Sequence, residues 1–314
     1  MPNAKAPHES KSSLHPSLRL GVSPLSWVNE VIEDFGRDTT VDTCLSEAAS
    51  AGFAGVELSK IFPKDANELK NILDVHGLQL VSGWHSGFLV DRTVEAELEA
   101  VRPHASLLRA CGVSVMVYGE CGHMAANALD VPMSRRRRLE PGEWPAYGQR
   151  LTHFAEALRD EFGLGVAYHH HLMMVAETLD EVRQLMAATG PALGLLLDTG
   201  HAFAAGFDYA VLIEEFGSRI NHIHLKDVRG DVLAEVRARG LSFNDAVRAG
   251  MFTVPGDGSV DFGAVARFLT EGAYSGWLLV EAEQDPAKAP PAATVARAYR
   301  FVTETIMKPA LART

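Results

Sequence analysis

The stretch LGLLLDTGHAF, Leu193 to Phe203, decides how this chain is read. Leu193, Leu195, Leu196 and Leu197 make a run that is apolar on both faces, the pattern of a parallel strand covered by helices on one side and by a barrel interior on the other. Asp198 then falls at the C-terminal end. In barrels of alternating strands and helices that end carries the chemistry, while the opposite end carries stability. An aspartate in this place commonly caps the following helix, so Asp198 alone says little. His201, within the same short turn, makes the two a candidate ligand pair.

Working outward, short apolar runs alternate with longer amphipathic ones from Leu18 onward, a rhythm that predicts a parallel α/β architecture. Strands are expected at 18–24, 54–59, 78–84, 113–120, 165–171, 193–199, 220–227 and 276–283, each followed by a helical pattern. Gly52 and Gly77 suit helix C-caps, Asp65 suits an N-cap, and Pro103 is expected to kink or divide the helix it falls in. A count of eight favours a single-domain (β/α)8 TIM barrel over an open doubly wound sheet, which would also need a phosphate-binding glycine turn near its start. The sequence has no GxGxxG or GxxxxGKS run, so a nucleotide cofactor gains no support.

Two segments break the rhythm. The connection 121–145 contains the run Arg135 to Arg138, read first as a solvated face and second as a contact with a neighbouring subunit or an active-site lid. The stretch 228–257 follows the seventh strand and is expected to lie over the barrel mouth, where long loops act as lids or substrate walls. Its Gly256-Asp257-Gly258 reads as a hinge-like turn.

Composition narrows the partners. At 314 residues, 47% hydrophobic and 22% charged, the chain can bury a sizeable core. Lys+Arg of 29 against Asp+Glu of 40 give a net charge of -11, which repels a phosphate backbone and argues against nucleic acid or an anionic membrane. A small molecule is the expected partner, and a homo-oligomer stays open. Cys44, Cys111 and Cys121 have neither metal-finger spacing nor an even count, so a reducing, cytoplasmic compartment is expected. Residues 1–17 are polar and read as a disordered tail ahead of a barrel spanning 18–314. No run of 18 apolar residues predicts a membrane span.

The ends of strands five to eight line up as His169, His170 and His171; Asp198 with His201; His222 and His224; Glu281 and Glu283. Side chains alternate faces along a strand, so His169 shares a face with His171, and His222 with His224. One strand histidine is usually a satisfied core residue; four successive ends bearing imidazole or carboxylate suggest a metal. Such ligands suit Mn, Co, Fe or Zn better than Ca or Mg.

These four ends resemble the xylose-isomerase-like barrel superfamily, in which Glu, Asp, His and Glu hold one divalent metal. GVSPLSW, FPKD, SGWHSG, VYGE, YHHH, LLLDTGH, HIHLKDVR, FTVPGDGSVDF and GWLLVEAEQDP more narrowly resemble the inosose dehydratases of bacterial inositol catabolism, over nearly the whole chain after the tail. The departures are Leu172-Met173-Met174, where Met-Gly-Thr is the family pattern, and the connection 121–144, which is individual to this chain.

The resemblance implies metal ligands at His169, Asp198, His224 and Glu281, with His169 in place of the isomerase glutamate and Glu283 and His222 as alternatives. The same resemblance implies one Mn2+ or Co2+ per chain and substrate contacts at Trp84, His85, Glu120, His171 and His201. The implied reaction is loss of water from the cyclic polyol ketone scyllo-inosose, giving a trihydroxycyclohexane-1,2-dione through a metal-stabilised enediolate. Glu281 is the expected base, and His201 or Lys226 the group nearest the departing oxygen; Lys226 and Asp227 can equally form a structural ion pair. The rival readings are a metal-dependent ketose isomerase or epimerase using the same enediolate, and a barrel that only binds sugar.

Overall fold

The computed structural model describes residues 18–272 and 274–311, so the expected tail at 1–17 lies outside the described residues. Nine parallel strands form one curled sheet: β1 (Leu18–Val22), β2 (Gly55–Val56), β3 (Gln79–Leu80), β4 (Trp84–Gly87), β5 (Val115–Glu120), β6 (Gly165–His169), β7 (Leu193–Asp198), β8 (Ile220–Leu225) and, after two short strands outside the sheet, β11 (Gly276–Val280). Their order is β3-β2-β1-β11-β8-β7-β6-β5-β4, so the two ends of the sheet are consecutive in the chain. Only Val81, Ser82 and Gly83 separate them. Leu58 N donates to Ser82 O at 2.9 Å on one side and Val117 N to Gly83 O at 3.1 Å on the other, so the ladder runs through the break. The third expected strand is therefore one stave in two pieces, and the barrel is closed with eight staves.

Period-two alternation builds the interior in layers. Val81, Trp277 and Leu279 cluster at the floor, and Val117, Ala167 and Leu196 form the next group. Leu193, Leu195 and Leu197 face the other way, into the main core beneath the helices. All six residues of β7 are buried, as a two-faced apolar run requires.

The outer helices follow local signals, beginning with α1 (Val41–Ala51), which Thr40 opens and Gly52 closes. Asp65 accepts from Asn67 N and Glu68 N to open α2 (Ala66–His76), and Gly77 closes it at φ +66°. Helix α3 (Val94–Ala110) runs on through Pro103, so the proline does not divide it. Helix α4 (Trp144–Phe162) carries Pro145 in its first turn, where a missing N–H costs nothing. Helix α5 (Leu179–Ala188) leads to β7, which is followed by the short α6 (Thr199–Ala205) and by α7 (Ala210–Phe216).

The two irregular segments meet above the barrel mouth. After β8, the insertion holds β9 (Asp227–Val228), α8 (Gly230–Arg239), α9 (Phe243–Arg248) and β10 (Phe252–Thr253), with β9 and β10 antiparallel. Pro132 bridges to Ser242, and Met133 N donates to Leu241 O at 3.2 Å. A second apolar core, including Ile32, Phe35, Leu172, Met173, Val236, Phe243 and Phe252, fastens these loops together. The arginine run is not a uniform solvated face. Arg135, Arg137 and Arg138 are exposed, but Arg136 is buried, because two glutamates of the neighbouring loop and helix neutralise it. Among the described residues, no helix is long and apolar enough to cross a membrane.

Candidate metal centre and cavity

Asp198 leaves β7 with its two oxygens divided between two tasks. Oδ1 accepts from His201 N at 2.7 Å and caps α6, while Oδ2 is buried without a hydrogen-bond partner among the described residues. The helix cap and the ligand-like carboxylate are thus one side chain. Around Oδ2 stand His169 Nε2 at 3.5 Å and His224 Nδ1 at 3.7 Å; the same His224 Nδ1 lies 3.2 Å from Glu281 Oε2. Strand register places them, since Asp198 pairs with His224 and Leu196 with His169.

His169 Nδ1 faces His170 O at 2.7 Å and so carries its proton there, leaving the Nε2 lone pair turned toward Asp198. Both ring nitrogens of His224 are buried without a hydrogen-bond partner among the described residues. Donor atoms of His169, Asp198, His201 and Glu281 lie within 4.8 Å of one another, as do those of Glu57, His222 and His224. Unpartnered buried oxygen and nitrogen atoms, in a mixed imidazole and carboxylate set, are what a divalent cation of the Mn, Co, Fe or Zn type would satisfy.

Lys226 completes the cluster. Its Nζ lies 2.6 Å from Glu281 Oε1, 3.2 Å from Glu283 Oε2 and 3.0 Å from His201 Nε2, with the Phe252 ring centroid 4.6 Å away. The lysine stem crosses Gly200, where a Cβ would meet Lys226 Cγ at 2.5 Å, so the glycine of DTGH serves close approach. Lys226 and Asp227 are not an ion pair. They point apart along the strand, and the Asp227 carboxylate accepts instead from the N–H groups of Val228, Gly256, Gly258 and Val260 at 2.8–3.0 Å. The turn expected to hinge is therefore tied to the barrel at its base.

Burial and charge pull these groups in opposite directions. Burial opposes ionisation of Asp198, yet the Lys226 charge holds its carboxyl below the usual carboxylate range. Glu281 is held well below the carboxylate range against burial, chiefly by Lys226 and then His224. Burial alone would lower His224, but Glu281 and Glu57 push it up to about 10. Lys226 likewise keeps its proton through Glu281, Glu283 and Asp198, against burial. Burial first, and neighbouring imidazole or ammonium charge second, push His171 and His201 well below the usual histidine range.

A cavity of about 680 Å³ opens over this cluster, lined by Trp84, Ser86, His169, His171, Met174, Phe243, Glu281 and Glu283 among others. Trp84 sets its ring edge-on to His169 and His171, with centroids 5.6 and 6.0 Å apart. From the insertion, Phe243 lies 5.4 Å from His171 and Phe252 5.0 Å from His201. That segment forms part of the cavity's cover.

His85 and Glu120 do not reach the cavity. Trp84 and Ser86 face inward on β4, so His85 faces outward, where its Nε2 meets Glu97 of α3 at 2.7 Å. Glu120 shares the outward face of β5 with Tyr118, whose hydroxyl donates to it at 2.8 Å; Gly122 N takes the other oxygen at 2.8 Å. Both are polar groups of the helix-side layer. Conversely, Glu57 went unread in the sequence. It sits at the C-terminal end of β2, accepts from Ser82 Oγ at 2.5 Å and lies 3.6 Å from His224 Nε2. The signal was available, because AGVELS ends a strand in a carboxylate just as GWLLVEAE does. His222 lies beside His224 with ring centroids 5.2 Å apart, and Ser82 Oγ is 3.4 Å from its Nε2.

Residues 45–305 match the family model described as xylose isomerase-like TIM barrel. The chain is 46% identical over 288 residues to the rhizopine catabolism protein MocC of Rhizobium meliloti, covering 92% of this chain and 88% of that one. It is 38% identical over 289 residues to an inosose dehydratase of Clostridium beijerinckii, covering 91% and 97%. Among solved structures, the IOLI protein with a binding zinc atom superposes at a TM-score of 0.67 with 14% identity, covering 92% of this chain and 98% of the other. At that identity the likeness is one of fold.

Proposed function

The chain belongs to the xylose isomerase-like TIM barrel family, and from that premise we propose that it is a metal-dependent dehydratase of inositol catabolism, a hydro-lyase that removes water from scyllo-inosose. The observation that carries the reading is the buried cluster at the catalytic end of the barrel in which His169, Asp198, His201 and Glu281 bring donor atoms within 4.8 Å of one another, with His224 Nδ1 3.2 Å from Glu281 Oε2 and 3.7 Å from Asp198 Oδ2 and with Lys226 beside them. Support comes from the inosose dehydratases that resemble the chain along nearly its whole length.

A divalent cation held by the four ligands would supply Lewis-acid stabilisation of negative charge on the substrate's ketone oxygen, an effect worth several kcal/mol. The zinc atom of the IOLI structure is consistent with such a centre in this fold. His169 enters with its lone pair already aimed by His170 O, and Asp198 with one oxygen fixed by the α6 cap. With the cation displacing the proton that His224 otherwise holds, neutral imidazoles at His169 and His224 and ionised Asp198 and Glu281 give a ligand set of charge -2 against a dication. Such a set favours Mn2+ or Co2+ over Mg2+.

Dehydration needs a base for the proton on the carbon beside the ketone and an acid for the departing β-hydroxyl. Both Glu281 oxygens are occupied, by Lys226 and His224, so Glu281 serves better as a ligand than as the base expected from the sequence. Glu283 lines the cavity, and among the described residues its carboxylate is hydrogen-bonded to the Lys226 ammonium alone, across 3.2 Å; we assign it the proton abstraction. The hydroxyl is placed by a mismatch in His201. Leu172 N donates to its Nδ1, which puts the ring proton on Nε2, facing the Lys226 ammonium at 3.0 Å. Two donors meet there without an acceptor. A departing hydroxyl that reaches this pair from the cavity, beside Glu283, takes its proton from the Lys226 ammonium and leaves as water.

The test is to offer scyllo-inosose to the stripped protein reloaded with Mn2+, Co2+, Zn2+ or Mg2+, following substrate loss and the dione absorbance. Equal loss of ketone and gain of dione supports the dehydratase. An isomeric ketose or epimer without dione overturns it in favour of an isomerase or epimerase, and binding without turnover leaves only a sugar-binding barrel.

A further inference from the structure

The turn after β6 holds a backbone conformation that its residue does not favour. Met173 is buried at φ +72°, in the left-handed region normally left to glycine or asparagine. Such strain persists only where the surroundings overdetermine it. Here a guanidinium does so. Arg136 Nη1 donates to Met174 O at 2.9 Å and Val175 O at 3.3 Å, and Nη2 donates to both oxygens of Glu181 at 2.7 and 2.9 Å. Its Nε lies 3.2 Å from Glu177 Oε2, which in turn accepts Met173 N at 2.7 Å. The Arg136 side chain is 2% exposed, and a planar fork of donors is the group that can serve two carbonyls and two carboxylates at once.

What this clamp holds faces the cavity. Leu172 O receives His171 Nδ1 at 2.6 Å, and Leu172 N donates to His201 Nδ1 at 3.3 Å, so the backbone of one residue orients both rings. Met174, whose carbonyl is one of the two that the clamp holds, lines the same cavity. The two places where the sequence departs from its family pattern, the 121–144 connection and Leu172-Met173-Met174, are therefore joined through Arg136.

We propose that Arg136 is a positioning residue of the catalytic cavity: by holding residues 172–175 in the strained turn, it sets the rings of His171 and His201 and seats Met174 in the cavity wall. The inference rests on the cavity being the place of turnover. Arg136→Lys keeps the charge and loses the fork. It is expected to lower kcat/KM for scyllo-inosose on the order of 10- to 100-fold, the scale of a small misplacement of reacting groups, while the circular dichroism spectrum is unchanged. Adding Met173→Gly lets the turn form without the clamp and recovers most of that loss, yet the melting temperature stays below that of the wild type because one ammonium does not replace the fork that serves Glu177 and Glu181 together. A role confined to stability predicts the reverse, a lower melting temperature with kcat/KM intact and nothing to rescue.

Histidine side-chain NMR of the same variants needs no substrate. The His171 and His201 resonances move in Arg136→Lys and return in the double variant, while those of His76 and His153 stay in place. If the wild-type chain turns over no scyllo-inosose, the functional reading fails and the ring resonances still decide the clamp. Unmoved His171 and His201 resonances in Arg136→Lys overturn it.

Discussion

Glu120→Gln separates a substrate contact from a buried structural carboxyl, and its size follows from the structure. Burial, relieved in part by the Tyr118 hydroxyl and Gly122 N–H, pushes the Glu120 carboxyl from 4.5 up to about 7. A carboxyl raised on folding binds its proton more tightly in the native state. Its stability contribution is complete below pH 4.5 and is lost as pH rises through 7. Each unit between those values costs about 1.4 kcal/mol, so the whole window is worth about 3 kcal/mol. Glutamine keeps the shape and stays uncharged at every pH, and the Tyr118 hydroxyl can turn to accept from its amide. In urea unfolding of both proteins from pH 4.5 to 8.5, the stability of the variant minus that of wild type should rise by about 3 kcal/mol in total. Other titrating groups cancel in that difference. KM should stay within about twofold, since Glu120 lies on the helix side of β5. A difference flat with pH, or a KM raised about tenfold, would refute the reasoning.

Three further outcomes bear on the metal centre. Asp198→Asn retains a cap for α6 but weakens an anionic ligand; calorimetric titration of stripped protein should show a loss of Mn2+ affinity of at least ~10- to 100-fold, with helicity unchanged. Lys226→Met leaves Glu281 and Glu283 buried without their cation; denaturation of the metal-free protein should register a loss of about 3–5 kcal/mol, and kcat should fall more than KM changes. Metal-stripped protein should recover with Mn2+ or Co2+ far better than with Mg2+, and His169→Glu should move the preference toward Mg2+; equal recovery with Mg2+ in the wild type would remove His169 from the ligand set.

Strand ends were legible because period-two alternation is a local rule. It puts Asp198 with Leu196 and His224 with His222 on the inward face, and the register of parallel neighbours then makes the four ends converge. The same rule also held the correction for His85 and Glu120, which shared motifs with inward residues but alternate with them. A motif names neighbours in sequence and is silent about faces. Glu57 was harder to see, because β2 is only two residues long and offers little periodicity. Arg136 could not be read at all from the chain. Its burial depends on Glu177 and Glu181, which approach only when two irregular loops fold together over the mouth, and nothing in a run of arginines marks the one that turns inward.

The floor of the barrel bears on the order of events at the site. Val81, Trp277 and Leu279, with Val117, Ala167 and Leu196 above them, fill the lower interior with close-packed apolar atoms, which admit water poorly. Traffic therefore runs through the cavity at the opposite, C-terminal end of the strands. Whatever is split from a bound molecule has to depart past the larger fragment, along the path by which the parent arrived. The smaller fragment leaves past Phe243 first, and the larger one then holds the site against the next arrival. Turnover at saturation would be paced by that departure, and added product would compete directly with substrate.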